Sequence, residues 1–209
     1  RVNRGIVLAQ MGQAEKAIWC YAQALDIDRG YAPAWYHRAA ALVALGRYPQ
    51  ALECCEQAQA LDEDCVSAWC NRGIALAGLQ QVYPALECYD RALEHDRRCV
   101  PAWYHKGLAL AGISQPAEAL ACFDQALQID NHFVSAWYEK GRMLEALKQP
   151  RKAPACYNRT LRADLKHGAA WYHKGRIMSE TLRNHGAARM CFEKAARLGY
   201  SPPEGRDQG

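Results

Sequence analysis

Apolar residues along this chain recur at one-turn intervals within short stretches, and the stretches themselves return at a fixed longer interval. Trp35, Trp69, Trp103, Trp137 and Trp171 stand 34 residues apart. Four positions after each comes a small residue: Ala39, Gly73, Gly107, Gly141 and Gly175. Further on come Ala51, Ala85, Ala119 and Ala153, then the aromatics Tyr89, Phe123 and Tyr157, then Ala58, Ala92 and Ala126. Alanine, aromatic and alanine at i, i+4 and i+7 lie on one helix face. Each repeat therefore predicts two helices joined by a turn, for example Ala34–Leu45 followed by Pro49–Leu61. In the last repeat the same residues return one position late, as Ala188, Phe192 and Ala195, so one extra residue is expected in the Leu182–Gly186 turn. The first repeat lacks its leading residues but keeps Gly5, Ala17, Tyr21 and Ala24 in register.

The count is six units, at about 1–31, 32–65, 66–99, 100–133, 134–167 and 168–200, forming an array over 1–199. Residues 200–209 read as a flexible C-terminal tail beyond a helix stop. The chain opens on Arg1, partway through a unit, and reads as a piece of a longer protein. Pro154 falls inside a predicted second helix and should delay or kink it, and Thr160 replaces an alanine there, so the fifth unit is expected to be the weakest. His95 stands where Ile27, Leu61 and Ile129 stand elsewhere, and is expected to be core or half-buried.

The period, the Trp-x3-Gly start and the Ala, aromatic, Ala series resemble the tetratricopeptide repeat family. The resemblance implies an all-α fold, a right-handed α-solenoid of stacked antiparallel helix pairs (the TPR superhelix). The closing proline of the family is replaced by Arg29, Glu63, Arg97, Asn131 and Leu165, and prolines stand instead at Pro49, Pro84, Pro116 and Pro150. No unit of such an array buries its apolar face alone, so stability comes from stacking on neighbours.

The family's first helices line a concave groove that takes partners. Carried onto this sequence, the resemblance makes Tyr36, His37, Asn71, Ile74, Tyr104, His105, Leu108, Tyr138, Arg142, Tyr172, His173 and Arg176 the groove candidates. Cys70 and Glu139 occupy equivalent places. The set is a tyrosine–histidine ladder, apolar in its N-terminal half and Arg/Glu-rich in its C-terminal half. Tyrosine and arginine are common interface anchors. Some family members clamp a chaperone's C-terminal carboxylate. Here Asn3 and Asn71 hold asparagine-like places, but Tyr, His, Ile and Leu surround them, so no clamp is expected.

Cys20, Cys54, Cys88, Cys122, Cys156 and, past the insertion, Cys191 form a second ladder. Equivalent positions on stacked helices lie about 10 Å apart, while a disulfide needs Cα atoms within about 7 Å. Reduced packing thiols and a cytoplasmic setting are expected. No C-x2-C or H-x3-H pair suggests a metal, and none is expected. A net charge of +4 is too mild to argue for nucleic acid, and the repeating ladder of Arg4, Arg38, Arg72, Lys106, Lys140 and Lys174 reads as solvated charge with packed stems, with weak nucleic-acid backbone contact as the alternative. No apolar run reaches membrane-spanning length.

No phosphate loop, Gly-x-Ser-x-Gly turn or paired carboxylates are present, and Cys70 with His105 is the one Cys–His suggestion. The expectation is a non-catalytic protein-interaction scaffold without a cofactor, binding a peptide or helical segment of a partner protein in its groove. A regulatory region of a larger enzyme is the alternative, and the uncapped terminal repeats leave room for self-association.

Overall fold

The computed structural model describes residues 1–202. Among them are twelve α-helices: α1 (Val2–Gln10), α2 (Ala14–Leu25), α3 (Ala32–Ala44), α4 (Tyr48–Leu61), α5 (Val66–Gly78), α6 (Val82–His95), α7 (Val100–Gly112), α8 (Pro116–Ile129), α9 (Val134–Ala146), α10 (Ala153–Ala163), α11 (Gly168–Glu180) and α12 (His185–Arg197). The chain forms two compact units, Arg1–Ala109 and Leu110–Gly209. In the first, α1 to α6 pack in sequence, and α1 with α3 and α3 with α5 also touch. In the second, α8 to α12 pack in sequence. Most of the expected tail, 203–209, lies outside the described residues.

The small residue after each Trp exists to admit an aromatic ring. A Cβ added to Gly73 would stand 2.5 Å from Tyr89 Cε1, at Gly141 2.6 Å from Tyr157, at Gly5 2.5 Å from Tyr21, and at Gly175 2.8 Å from Phe192. The second repeat solves the same contact differently. Ala39 replaces the glycine, and fully buried Cys55 replaces the ring. One side of the pair is enlarged by a methyl group and the other is reduced from a ring to a thiol.

Between units, five tryptophans repeat one bond. The indole N–H of Trp35, Trp69, Trp103, Trp137 and Trp171 donates to the carbonyl six residues earlier, at 2.8–3.0 Å. The acceptors are Arg29, Glu63, Arg97, Asn131 and Leu165, the residues standing where the family has proline. Each turn is also held by an aspartate: the side chains of Asp28, Asp62, Asp96, Asp130 and Asp164 accept the amide N–H two residues on. A local side-chain bond of this kind fixes a turn without proline.

Within units, the turn residue lies in the left-handed region at Gly12, Gly46, Gln80, Ser114, Lys148 and Arg183. The first five follow the period, and Arg183 comes one residue late. The amide of the following residue normally closes onto the carbonyl five back, as from Gln149 to Leu144 at 2.8 Å; at the last turn Asn184 reaches six back, to Met178, at 2.7 Å. The extra residue therefore lies between Glu180 and Arg183, and α12 resumes the register beyond it.

Pro154 delays its helix as expected. α10 begins at Ala153 with the proline in its first turn and runs 11 residues, against 14 for α8. Thr160 is fully buried, its hydroxyl donating to the Cys156 carbonyl at 3.3 Å. His95 is a correction. It is exposed, its Nδ1 3.5 Å from Asp64 Oδ1. Ile27 and Leu61, on which the buried expectation rested, are themselves 71% and 47% exposed. That position ends the second helix and is exposed at Ile27, Leu61 and His95, while Ile129 there is half-buried.

Candidate functional site

The candidate residues fall into two sets, one in each compact unit. In the first, α3 supplies Tyr36 and His37, α5 supplies Asn71 and Ile74, and α7 supplies Tyr104, His105 and Leu108. Tyr36, His37, Ala40, Ser67, Cys70, Asn71, Cys99 and Pro101 line an open recess of 210 Å³. Asn71 does not reach into it freely, because its Nδ2 donates to the Tyr36 carbonyl at 3.0 Å and ties α5 to α3.

The histidines of the ladder stack on rings from the preceding repeat. His37 lies parallel to Tyr21 at 5.7 Å, and His105 to Tyr89 at 6.3 Å. Burial lowers the pKa of both, that of His105 to about 4, so both are neutral near pH 7. Ile74 packs into the core beside Tyr89 and Trp69, and Cys70 is buried beneath the recess. Tyr104 and Leu108 are half-buried, with the Tyr104 ring edge-on to His105 at 5.2 Å.

In the second unit, Tyr138 and Arg142 come from α9, and Tyr172, His173 and Arg176 from α11. Tyr138 sits in a nest of rings, 4.6 Å from His167, 5.9 Å from His173 and 6.0 Å from Tyr157. Tyr172 contacts Phe192 and Tyr200. Glu145 is the hub beneath them, accepting from the Tyr157 hydroxyl and from His173 Nδ1 at 3.0 Å. Burial would raise its pKa, but those two bonds and the nearby Arg176 charge outweigh it and hold the carboxyl below its ordinary value. Burial raises Glu139, and exposed Arg142 bonds it at 3.0 Å. Arg176 lies 3.5 Å from Glu180. Arg142 is thus exposed over buried Glu139, whereas Arg176 is half-buried and its partner Glu180 is exposed.

The basic ladder faces elsewhere. Lys106 pairs with Asp90 on α6, Lys140 with Asp124 on α8 at 2.6 Å, and Arg72 bonds Gln59 on α4 at 2.9 Å. Arg72, Lys106, Lys140 and Lys174 lie over Trp69, Trp103, Trp137 and Trp171 at 5.3–5.8 Å. These cations pin first helices to second helices.

A repeating slot was missed in the sequence. The residue after each Trp meets the residue four before the next Trp: Tyr36 packs at Cys65, Cys70 on Cys99, and Tyr138 on His167. The spacing is 29 residues, five short of the period, so comparison at equal register does not reveal it. All ten cysteines are free thiols, and every one but Cys99 is buried. Among the described residues no cluster of three His, Cys, Asp or Glu could hold a metal, and no helix is long and apolar enough to cross a membrane.

Two sequence profiles described as tetratricopeptide repeat match the chain, one over 32–65 and 66–99, the other over 1–31 and 100–133. No curated protein matches at a significant level. Solved structures do. PilF of Pseudomonas aeruginosa superposes with a TM-score of 0.83 at 20% identity, covering 94% of this chain and 89% of that one. TTC0263, a thermophilic TPR protein of Thermus thermophilus, gives 0.72 at 18% identity, covering 94% and 97%. YrrB, described as a TPR protein with an unusual peptide-binding site, gives 0.67 at 20% identity, covering 85% and 91%.

Proposed function

Because the chain belongs to the tetratricopeptide repeat family, we propose that it is a non-catalytic scaffold whose first-helix face takes a peptide or helical segment of a partner protein. The observation that supports this best is the 210 Å³ recess, to which α3, α5 and the start of α7 all contribute. Three successive repeats thus converge on one opening, with an apolar floor and neutral histidine beside it. Such a recess suits an apolar side chain of the partner, because neither a charge nor a strong unpaired donor opposes it. Arg142 and Arg176 of the second unit suit an acidic stretch. YrrB supplies a precedent for peptide binding on this fold. Ten free thiols fit a reducing compartment such as the cytoplasm. Four of the six ladder cations lie over tryptophan faces and are less available to a nucleic-acid backbone.

Peptides selected from a displayed random library on the 209-residue chain test the reading. Ala40 is exposed and lines the recess, so Ala40→Arg fills it without touching the core. Selected peptides should bind the wild type and lose affinity by at least about tenfold, roughly 1.4 kcal/mol, on Ala40→Arg at unchanged thermal stability. Peptides that bind both proteins equally would move the site elsewhere.

A further inference from the structure

We propose that Cys99 is a peroxide-oxidisable nucleophile and that Cys70 resolves it, so that the pair closes into a disulfide across the floor of the recess. Four observations carry this. The two thiols line the same open recess, Cys99 half-buried at its wall and Cys70 beneath it. They occupy the slot in which Tyr138 and His167 are in ring contact at 4.6 Å, so the register brings them together by construction. Cys99 packs against the buried cluster that contains Cys70. Cys99 immediately precedes α7, at the N-terminus of that helix. A helix N-terminus favours the thiolate.

The pKa directions agree with this division of roles. The neighbouring thiol, against burial, lowers Cys99, while its counterpart and burial raise Cys70. Cys65 provides a contrast within the chain. It caps α5 in the equivalent place, but it meets Tyr36 instead of a thiol, and burial raises it. The other ladder cysteines are buried among second helices and share neither the recess nor the helix terminus.

The chemistry balances with hydrogen peroxide as oxidant. The Cys99 thiolate sulfur attacks one peroxide oxygen and the O–O bond breaks. Hydroxide leaves and takes a proton, giving Cys99 sulfenic acid and water. The Cys70 sulfur then attacks the Cys99 sulfur. The S–O bond breaks, and the departing hydroxyl takes the Cys70 proton as a second water. Two thiols lose two electrons and two protons in all.

The full chain treated with about one equivalent of hydrogen peroxide near neutral pH, where a lowered thiol is partly ionised, should lose two hydrogens in intact mass. Peptide mapping should place the link at Cys70–Cys99, and dithiothreitol should restore the original mass. Cys70→Ser should stop at the sulfenic acid and take up dimedone on Cys99. Cys99→Ser should neither link nor label at that dose, with its helical circular dichroism retained. A first link or label at any other cysteine, or oxidation of Cys99→Ser at the wild-type rate, overturns the proposal. Timed iodoacetamide labelling of the unmodified wild type avoids any folding defect of the variants: Cys99 should be alkylated before the other nine cysteines, and any faster thiol also overturns it.

Discussion

At the level of single residues, the contact between the post-tryptophan position and the second helix is a volume agreement. Glycine is paired with Tyr or Phe, and Ala39 is paired with Cys55. Changing one side alone should therefore be costly. Cys55→Tyr should destabilise by about 1–3 kcal/mol through overpacking, and Ala39→Gly by about 1 kcal/mol through lost helix propensity and contact. The double variant rebuilds the neighbouring Gly73–Tyr89 arrangement and should be more stable than the sum of the singles. Urea melts of the four proteins would check this, and strict additivity would show that the two positions do not share the space.

His105 carries a pH prediction. Its pKa is lowered by burial to about 4, so the folded state binds fewer protons than the unfolded state below the ordinary histidine value. Stability is full above that value and falls as pH drops from about 6.5 toward 4, by about 2 kcal/mol between pH 7 and 5. His37 acts in the same direction. Melting temperatures at the two pH values should converge in His105→Gln relative to wild type; an unchanged gap would assign the acid sensitivity elsewhere.

At the level of helices and turns, the left-handed turn position explains why substitutions differ along the chain. Gly12 and Gly46 fill it in the first two repeats, whereas Gln80, Ser114, Lys148 and Arg183 hold positive φ without glycine's freedom. An L-residue there costs about 1–2 kcal/mol. Lys148→Gly should raise stability by up to about 1 kcal/mol, since the entropy it adds to the unfolded chain offsets part of the gain. Thermal melts would show it, and a fall in stability would mean that the Lys148 side chain holds the turn.

The helices themselves were legible in the sequence. The expected Ala34–Leu45 and Pro49–Leu61 appear as Ala32–Ala44 and Tyr48–Leu61, the late α10 was visible, and so was an extra residue, expected at Leu182–Gly186 and found at the start of that turn, between Glu180 and Arg183. Neighbourhoods that cross the period were not. The Cys70–Cys99 slot joins a first helix to the cap of the next, at a spacing no single helix face displays. His95 misled because apolar residues at its position suggested burial, although a helix end projects into solvent. Most of the ladder histidines' surroundings were hidden for the same reason, since His37 and His105 stack on rings sixteen residues earlier.

At the level of the molecule, each compact unit has its own set of core clusters. Tyr157 is fully buried and anchors the cluster of Leu144, Cys156, Leu161 and Ile177. Tyr157→Ala should cost about 3–5 kcal/mol locally. Because stacked repeats interact chiefly with neighbours, hydrogen exchange should accelerate in α9, α10 and α11 while α1 to α4 keep their protection. Equal acceleration throughout would show that the whole array unfolds as one cooperative block.

The turn between Glu180 and Arg183 has a practical consequence. It takes in one more residue than its counterparts and still returns the chain to the correct face for Ala188, Phe192 and Ala195 to pack. Natural length variation has, in effect, already been tolerated there. It is accordingly the place to graft an epitope or a fluorophore-bearing loop, since no residue lining the recess belongs to that repeat.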